Sequence, residues 1–474
     1  MKTMSKVLSF RKILLFFGDI ILAYISLFLM VLLGFWGKFS WEIILQHLLP
    51  FSILYFFWLI IFYIFGLYET NLIKTKLTFY PRLFGAVSVG FLTGIIFFYL
   101  IPLFGITPKT NLILNTLIFG VLVFGWRKLF YSLFSSYLLT KIAIIGKESE
   151  SINLAKEIIS RPYLGYKLTA LFKIDQFHKK NLEHSFSSQK TEISKYLSSN
   201  KVKILSIKED FPDQIQKEKI DTLIVTANLQ SNPWLAEKLY HGLNSKINFI
   251  DSAQAYEIIT EKIPISSVNQ IWFLENLKEG EKKFYDNIKR RIDVVLAILF
   301  LLISSPLWVI IPVCIKLEDR GPIFYCQKRI GKNKKPFLLI KFRSMKIDAE
   351  KFGAVWAKQN DPRVTKIGKI LRRTHLDEIP QMLNILKGEL SFVGPRPERP
   401  EFVKQLEKEI PYYHIRHLIK PGFTGWAQLK FRYGRTIMDS KEKFQYDLYY
   451  LKNRSLFLDL GILLKTAQLL FRGE

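Results

Sequence analysis

Two cysteines in 474 residues, Cys314 and Cys326, leave nothing from which to build a disulfide framework, and the first sits inside an apolar run. A scaffold stapled for an oxidising compartment is excluded, and a reducing cytoplasmic face fits. Acidic residues are also scarce: 40 Asp and Glu stand against 68 Lys and Arg, a formal net charge of +28, and no acidic residue falls between Gly321 and Ile347. A third absence is the glycine fingerprint of a dinucleotide site. IAIIGKESES, starting at Ile142, stands where G-x-G-x-x-G belongs, yet only Gly146 is there. Nicotinamide binding is therefore not expected. Tyr163 and Lys167 share the Tyr-x-x-x-Lys spacing of short-chain dehydrogenases, but that spacing is common by chance.

What is present is that positive charge combined with 49% hydrophobic residues, 40 of them Phe. The pairing points to a membrane protein whose polar parts face an anionic lipid bilayer or phosphorylated substrates, and nucleic acid is not an expected partner. Ile13–Phe35, Ile43–Gly66, Leu83–Leu103 and Leu112–Phe134 are each long enough to cross a bilayer core at about 20 residues per span. The first is too long for a secretory signal and has no convincing small-residue cleavage site after it. Lys2, Lys6, Arg11 and Lys12 precede span one, Lys74, Lys76 and Arg82 follow span two, and Arg127, Lys128 and Lys141 mark the end of span four. By the positive-inside rule both ends of a four-helix transmembrane bundle over residues 1–140 face the cytoplasm.

From Lys141 the composition changes. Ile142–Gly146, Asp221–Ala227 and Lys246–Asp251 read as buried strands separated by amphipathic stretches such as Ser151–Ser160 and Pro233–Leu243, so residues 141–260 are expected to form a Rossmann-like α/β domain with a degenerate glycine motif and a structural or regulatory role. Residues 261–283 are charged, lack a clear period and read as a linker. Next comes a re-entrant helix over 292–317. Its apolar part, Val294–Ile315, holds 22 residues with Ser305-Pro306 near the middle, where proline removes a helix bond and bends the axis. Lys289, Arg290 and Arg291 flank one side, and Lys316, Arg320, Lys328, Arg329, Lys332, Lys334 and Lys335 the other. A simple span would put one basic flank outside, whereas a broken helix entering and leaving by the same face satisfies both. An ordinary fifth span is the alternative.

The stretch Leu371–Pro400 carries the chemistry. Ile379, Met382, Leu383 and Leu386 mark the stripe of a short amphipathic helix stopped by Gly388. Thr374 fits a helix start by spacing, but Pro380 would then fall inside, so the start is placed near Asp377. Asp377 and Glu378 then stand in the first turn, where free NH groups favour anions, and diverge by about 100° around the axis, which permits two different jobs. A bland reading makes Asp377 an N-cap and Glu378 a first-turn helper. Arg372 and Arg373 upstream and the rigid Gly394-Pro395-Arg396-Pro397 turn downstream suit bidentate phosphate binding instead.

With these features together, Phe284–Thr466 resembles the bacterial sugar transferases, the monotopic phosphoglycosyl transferases. The resemblance rests on Lys289-Arg290-x-x-Asp293, the Ser305-Pro306 break, Gly321-Pro322-Ile323-Phe324, Gln327 and Arg329, Lys341-Phe342-Arg343-Ser344-Met345, Leu376-Asp377-Glu378-x-Pro380-Gln381, Leu386-Lys387-Gly388-Glu389, Val393–Glu398, Pro421-Gly422-x-Thr424-Gly425-Trp426-Ala427-Gln428 and Tyr446-Asp447. It implies an α-rich catalytic domain over 284–474 that moves a sugar phosphate from a UDP-sugar to undecaprenyl phosphate at the cytoplasmic face of the bacterial inner membrane, an early step of exopolysaccharide synthesis. It implies Asp377 as nucleophile and Glu378 as the holder of Mg2+. Arg372 and Arg396, then Arg329, Arg343 and Lys341, are the candidates for phosphate binding, with contact to a lipid headgroup as the alternative for each arginine. Lys430 and Phe431 depart from a frequent Asn-Gly pair and Arg454 from a frequent tryptophan, so the sugar is not read, and neither is the oligomeric state, with a homo-oligomer among the alternatives. Leu456–Phe471, apolar almost all round, either packs inside the domain or lies on the bilayer. The competing readings are a membrane-anchored nucleotide-sugar dehydratase or epimerase, which needs the missing glycines, and a non-enzymatic scaffold, which leaves Asp377-Glu378 unexplained.

Overall fold

The structure, a computed structural model, describes residues 2–68, 76–100, 109–137, 140–146, 148–161, 164–173, 197, 199–207, 211–227, 229, 232–241, 247–347, 349, 361–431 and 436–472. The chain divides into two compact units, Met1–Thr260 and Glu261–Glu474.

The first unit begins with four helices, α1 (Lys2–Gly34), α2 (Trp41–Ile64), α3 (Lys76–Leu100) and α4 (Lys109–Tyr137). Their segments Lys12–Gly34, Trp41–Ile64, Phe79–Tyr99 and Thr110–Phe130 have mean hydropathies of 1.5 to 2.4 and are long and apolar enough to cross a bilayer. Leu27, Met30, Phe51 and Phe119 are buried between the helices, while Phe17, Leu49, Phe84 and Val121 point outwards. Polar groups inside the bundle pair across helices, as they must where water is excluded: Asn115 donates to Ser26 (3.1 Å) and Tyr55 (2.8 Å), and Arg127 meets Asp19 at 2.6 Å. The expected end of the third span, Leu103, lies outside the described residues.

An α/β layer follows: β1 (Thr140–Gly146), α5 (Glu148–Ser160), β2 (Tyr166–Lys173), β3 (Lys203–Ser206), α6 (Phe211–Glu218), β4 (Thr222–Val225), α7 (Pro233–His241), β5 (Asn248–Asp251) and α8 (Ser252–Thr260). The strands lie in the order β3-β2-β1-β4-β5, all parallel. Along β1, Ile142 and Ile144 pack with Leu154, Ile158 and Ile259 on one face, and Ala143 and Ile145 with Phe211, Ile215, Leu235 and Leu239 on the other. Cover on both faces is why the strand reads as a continuous apolar run. β2 and β3 escaped the sequence reading because polar residues interrupt their apolar pattern. Gly146 has φ +135°, and a Cβ there would strike Thr226 and Ala227. Packing alone therefore accounts for the one glycine of the degenerate motif. Lys167 is exposed on β2 and Tyr163 lies outside the described residues, so the Tyr-x-x-x-Lys spacing does not fall on a helix face.

In the second unit the stretch 261–283, expected to be a linker, is structured. Ile263 N donates to Gln445 O (3.1 Å), Asn269 caps α9 (Gln270–Leu277), and Phe273 and Leu277 are buried in the cluster that holds Met382 and Phe444. A two-turn helix between 3-10 turns is too short to show a period. α10 (Lys283–Ile303) and α11 (Leu307–Asp319) follow, bent by 62° at 304–306. Ser304 N closes α10 on Phe300 O (2.9 Å), and Pro306 opens α11, where its missing N–H needs no partner. The break falls where Ser305-Pro306 placed it. Leu302, Ile303, Val309, Ile310, Val313 and Leu317, around the bend, are exposed.

The remaining elements are the antiparallel hairpin β6 (Phe324–Ile330) and β7 (Pro336–Phe342), α12 (Lys366–Thr374), α13 (Gln381–Lys387), β8 (Ser391–Val393), α14 (Pro400–Glu409), β9 (Gly422–Thr424), α15 (Trp426–Lys430), α16 (Ile437–Asn453) and α17 (Leu456–Arg472). The last packs with one side and exposes the other. Ile462 is buried and Asp459 binds Tyr285, Tyr450 and Lys289 at 2.6 to 2.7 Å, while Phe457 and Leu460 face outwards.

Candidate active site

Asp377 and Glu378 are not in the first turn of an α-helix, as the sequence suggested. α12 ends at Thr374, His375 turns the chain with φ +55°, and Leu376–Glu378 form a 3-10 turn closed by Glu378 N to His375 O (3.1 Å) and Ile379 N to Leu376 O (3.3 Å). Pro380 then opens α13 at Gln381, a position that tolerates proline. Both carboxylates therefore precede the seven-residue α13 instead of standing in its first turn. Its buried stripe is also shifted, with Ile379, Met382 and Ile385 buried and Leu383 and Leu386 half-buried. Gly388 ends the helix in the left-handed region, as expected.

The turn buries both carboxylates, at 7% exposure for Asp377 and 8% for Glu378, but their surroundings differ. Glu378 Oε1 accepts from Lys341 Nζ (2.5 Å) and Arg396 Nη2 (3.4 Å). Burial alone would raise its pKa, yet Lys341 and then Arg396 outweigh that and hold it at about 2. Among the described residues the Asp377 side chain makes no hydrogen bond. Burial pushes its pKa up, Glu378 adds to the rise, and Lys341 opposes it most. One carboxylate is a fixed anion and its neighbour is a poorly solvated group with free oxygens.

Lys341 is delivered by the edge of β7. Asn384 on α13, fully buried, accepts from Ile340 N (3.1 Å) and donates to Leu338 O (2.7 Å) and Glu389 (2.7 Å), which fixes the strand against the helix. The sequence reading passed over Asn384, although a polar residue between the apolar Leu383 and Ile385 is a usable signal. Arg290 donates to the carbonyls of Ile385 (2.5 Å) and Leu386 (2.7 Å), and Asp293 accepts from Phe392 N (3.2 Å). Both therefore anchor α13 and β8 to α10.

The arginines separate into two groups. Among the described residues Arg372 donates through Nε to Ser344 (2.9 Å) with no partner for either Nη group, and the Arg396 side chain is 47% exposed and meets Glu378. These two border the carboxylates with donors to spare. Arg343 is buried and paired with Asp319. Arg329 donates to Pro397 O (3.0 Å) and Gln327 (2.5 Å). The guanidiniums of this second pair are directed at protein acceptors, a difference that residue type alone does not reveal. Gly394 and Gly422 lie so close that a Cβ on either would strike the other's strand, which brings the 394–397 turn over the site. Lys430 pairs with Glu261 and lies 4.6 Å over the Trp426 ring, and Arg454 is buried against Glu279 (2.8 Å) and Asp286 (3.5 Å), so neither departure from the family pattern points into the site.

For a divalent cation the donor chemistry fits. Glu378 Oε2 and both Asp377 oxygens are hard, uncommitted acceptors, and Mg2+ binds through one or two carboxylates together with substrate phosphates. Among the described residues no group of three His, Cys, Asp or Glu gathers.

The sequence profile described as Bacterial sugar transferase matches residues 284–473. The chain is 43% identical over 189 residues to the UDP-N-acetylgalactosamine-undecaprenyl-phosphate N-acetylgalactosaminephosphotransferase of Aeromonas hydrophila, covering 40% of this chain and 45% of that protein. It is 54% identical over 132 residues to the putative undecaprenyl-phosphate N-acetylgalactosaminyl 1-phosphate transferase of Bacillus subtilis, covering 28% of this chain and 74% of that protein. It is 42% identical over 188 residues to the UDP-glucose:undecaprenyl-phosphate glucose-1-phosphate transferase of Escherichia coli, covering 39% of this chain and 40% of that protein. The chain thus spans less than half the length of the first and third of these relatives. The match begins at α10 and takes in Asp377, Glu378, Arg372, Arg396 and Lys341, and on that ground the chain belongs to the bacterial sugar transferase family.

Proposed function

We propose that the chain transfers a sugar 1-phosphate from a UDP-sugar to undecaprenyl phosphate at the cytoplasmic face of the bacterial inner membrane, opening the synthesis of an exopolysaccharide, capsule or O-antigen. The observation that carries this reading is the contrast between Asp377, buried and unpartnered, and Glu378, held as an anion by Lys341 and Arg396.

In this reading an Asp377 oxygen attacks the phosphorus nearer the sugar, the bond from that phosphorus to the bridging oxygen breaks, and UMP leaves. An undecaprenyl phosphate oxygen then attacks the same phosphorus, the acyl phosphate bond breaks, and Asp377 is regenerated as a carboxylate. Arg372 and Arg396 hold the phosphate oxygens with their spare N–H groups. Lys341 keeps Glu378 ionised and eases the ionisation of Asp377. Mg2+ held by Glu378 would neutralise charge on the phosphates. The test incubates membranes carrying the chain with a panel of UDP-sugars and undecaprenyl phosphate and measures UMP. Release with at least one sugar is expected, and no release with any would sink the reading.

The bend between α10 and α11 supports re-entry rather than a fifth span, because its tip is apolar and exposed while both flanks are basic. Single cysteines at the exposed Lys156 and Lys404, in a background lacking Cys314 and Cys326, should both resist an impermeant thiol reagent in intact cells. Labelling at Lys404 alone would mean an ordinary span.

A further inference from the structure

We infer that the buried Arg416–Asp447 pair is a positioning device for Arg396: by gripping the Arg396 backbone carbonyl it sets where that residue's guanidinium meets Glu378. The inference rests on the phosphosugar-transfer reading above.

The turn 394–398 contains two prolines, which donate no N–H, so its carbonyls depend on donors from elsewhere. Each has one. Pro395 O accepts from Gly422 N (2.9 Å), Pro397 O from Arg329 (3.0 Å) and Glu398 O from Ile330 N (2.9 Å), while Arg396 O accepts from Arg416 Nη2 (3.0 Å). Arg416 lies on the 3-10 turn Tyr413–Leu418 at 6% exposure, and each of its nitrogens is engaged: Nε meets Asp447 at 3.1 Å, Nη2 meets Asp447 at 2.8 Å, and Nη1 meets Tyr413 OH at 2.7 Å. Asp447 sits on α16 at 3% exposure. Among the described residues four of the five N–H groups of this buried guanidinium are held by protein acceptors. Its one link towards the reaction centre is the carbonyl of Arg396, whose own side chain is long, half-exposed and joined to Glu378 at 3.4 Å. A flexible side chain of that kind reaches a fixed place only if its backbone is fixed. The planar fork of arginine serves Asp447 and the carbonyl at once, which a lysine at 416 cannot do.

The test is a double-mutant cycle on the purified full chain. UMP release is measured for Arg416→Lys and Asp447→Asn, each with Arg396 intact and in an Arg396→Ala background, beside thermal melting. With Arg396 present, kcat should fall by roughly tenfold or more. In the Arg396→Ala background the same changes should cost less than about twofold, while the melting shift is equal in both. Equal losses of kcat in both backgrounds, or no loss with Arg396 present, would overturn the positioning role. If Asp447→Asn does not fold, Tyr413→Phe removes one acceptor, leaves the ion pair, and repeats the comparison at smaller amplitude. A readout independent of turnover is the rate at which phenylglyoxal modifies Arg396, followed by peptide mass spectrometry against the exposed Arg373. Arg416→Lys should speed modification of Arg396 several-fold and leave Arg373 unchanged, and an unchanged Arg396 rate counts against the proposal. A wild-type chain that releases no UMP while Arg396 labelling still responds to Arg416→Lys would reject the reaction and keep the positioning.

Discussion

The parallel sheet of the first unit and the reaction centre of the second satisfy their polar groups by different means. In the sheet the backbone ladder does the work, strand on strand from β3 to β5, and a side-chain pair such as Lys203–Glu218 lies at the surface with the lysine 59% exposed. Around the reaction centre the β6–β7 ladder is joined by two strands of only three residues, β8 and β9, and side chains take over much of the work. Asn384 binds β7, Arg290 holds the end of α13, and Arg329 and Arg416 hold carbonyls of the 394–398 turn. A ladder places elements, whereas buried side chains place individual atoms, and a reaction needs the second kind of precision.

The contrast predicts unequal costs. Lys341→Met leaves the buried Glu378 with Arg396 alone, and breaking a buried pair typically costs about 3–5 kcal/mol. The melting temperature should therefore fall steeply, and UMP release per mole of folded chain should fall with it, because Lys341 holds Glu378 ionised and lowers the pKa of Asp377. Lys203→Met on the sheet should change stability by no more than about 1 kcal/mol and leave UMP release intact, because exposed pairs contribute little. Comparable losses from the two would erase the distinction.

A smaller effect lies in the pH profile. Burial raises the pKa of Asp377, and the attacking carboxylate must be ionised, so kcat/KM should fall on the acid side at a higher pH than an ordinary aspartate would give. Lys341 lowers the pKa of Asp377, so in Lys341→Met the residual activity should show this limb moved further up. A limb that stays put would remove Lys341 from the surroundings of Asp377.

These differences also explain what the sequence made legible. Runs of about 20 apolar residues, the Ser305-Pro306 break and the Gly388 stop are local, periodic or steric signals, and each falls on the element expected of it, the third run starting earlier than Leu83. The start of α13 was misplaced because His375, in the left-handed region without being glycine, ends α12 and inserts a 3-10 turn that no period announces. The linker reading of 261–283 failed for a related reason, since its short elements are held by burial of Phe273 and Leu277 in a distant core. Adjacency of Asp377 and Glu378 could be read directly, but their opposite environments could not. Those depend on Lys341 and Arg396, which the fold brings in from a hairpin and a turn. Whether an arginine faces a phosphate or a carbonyl is likewise decided in three dimensions, as Arg372 and Arg329 show.

The central claim is that Asp377 carries the phosphosugar while Glu378 remains an anion. The most direct measurement incubates the full chain with a donor sugar and no undecaprenyl phosphate, quenches in acid, and maps any acyl phosphate by peptide mass spectrometry. The account predicts a phosphosugar adduct on Asp377, retained until undecaprenyl phosphate is added and absent in Asp377→Asn. An adduct on Glu378 or on any other residue, or one that survives Asp377→Asn, would contradict it.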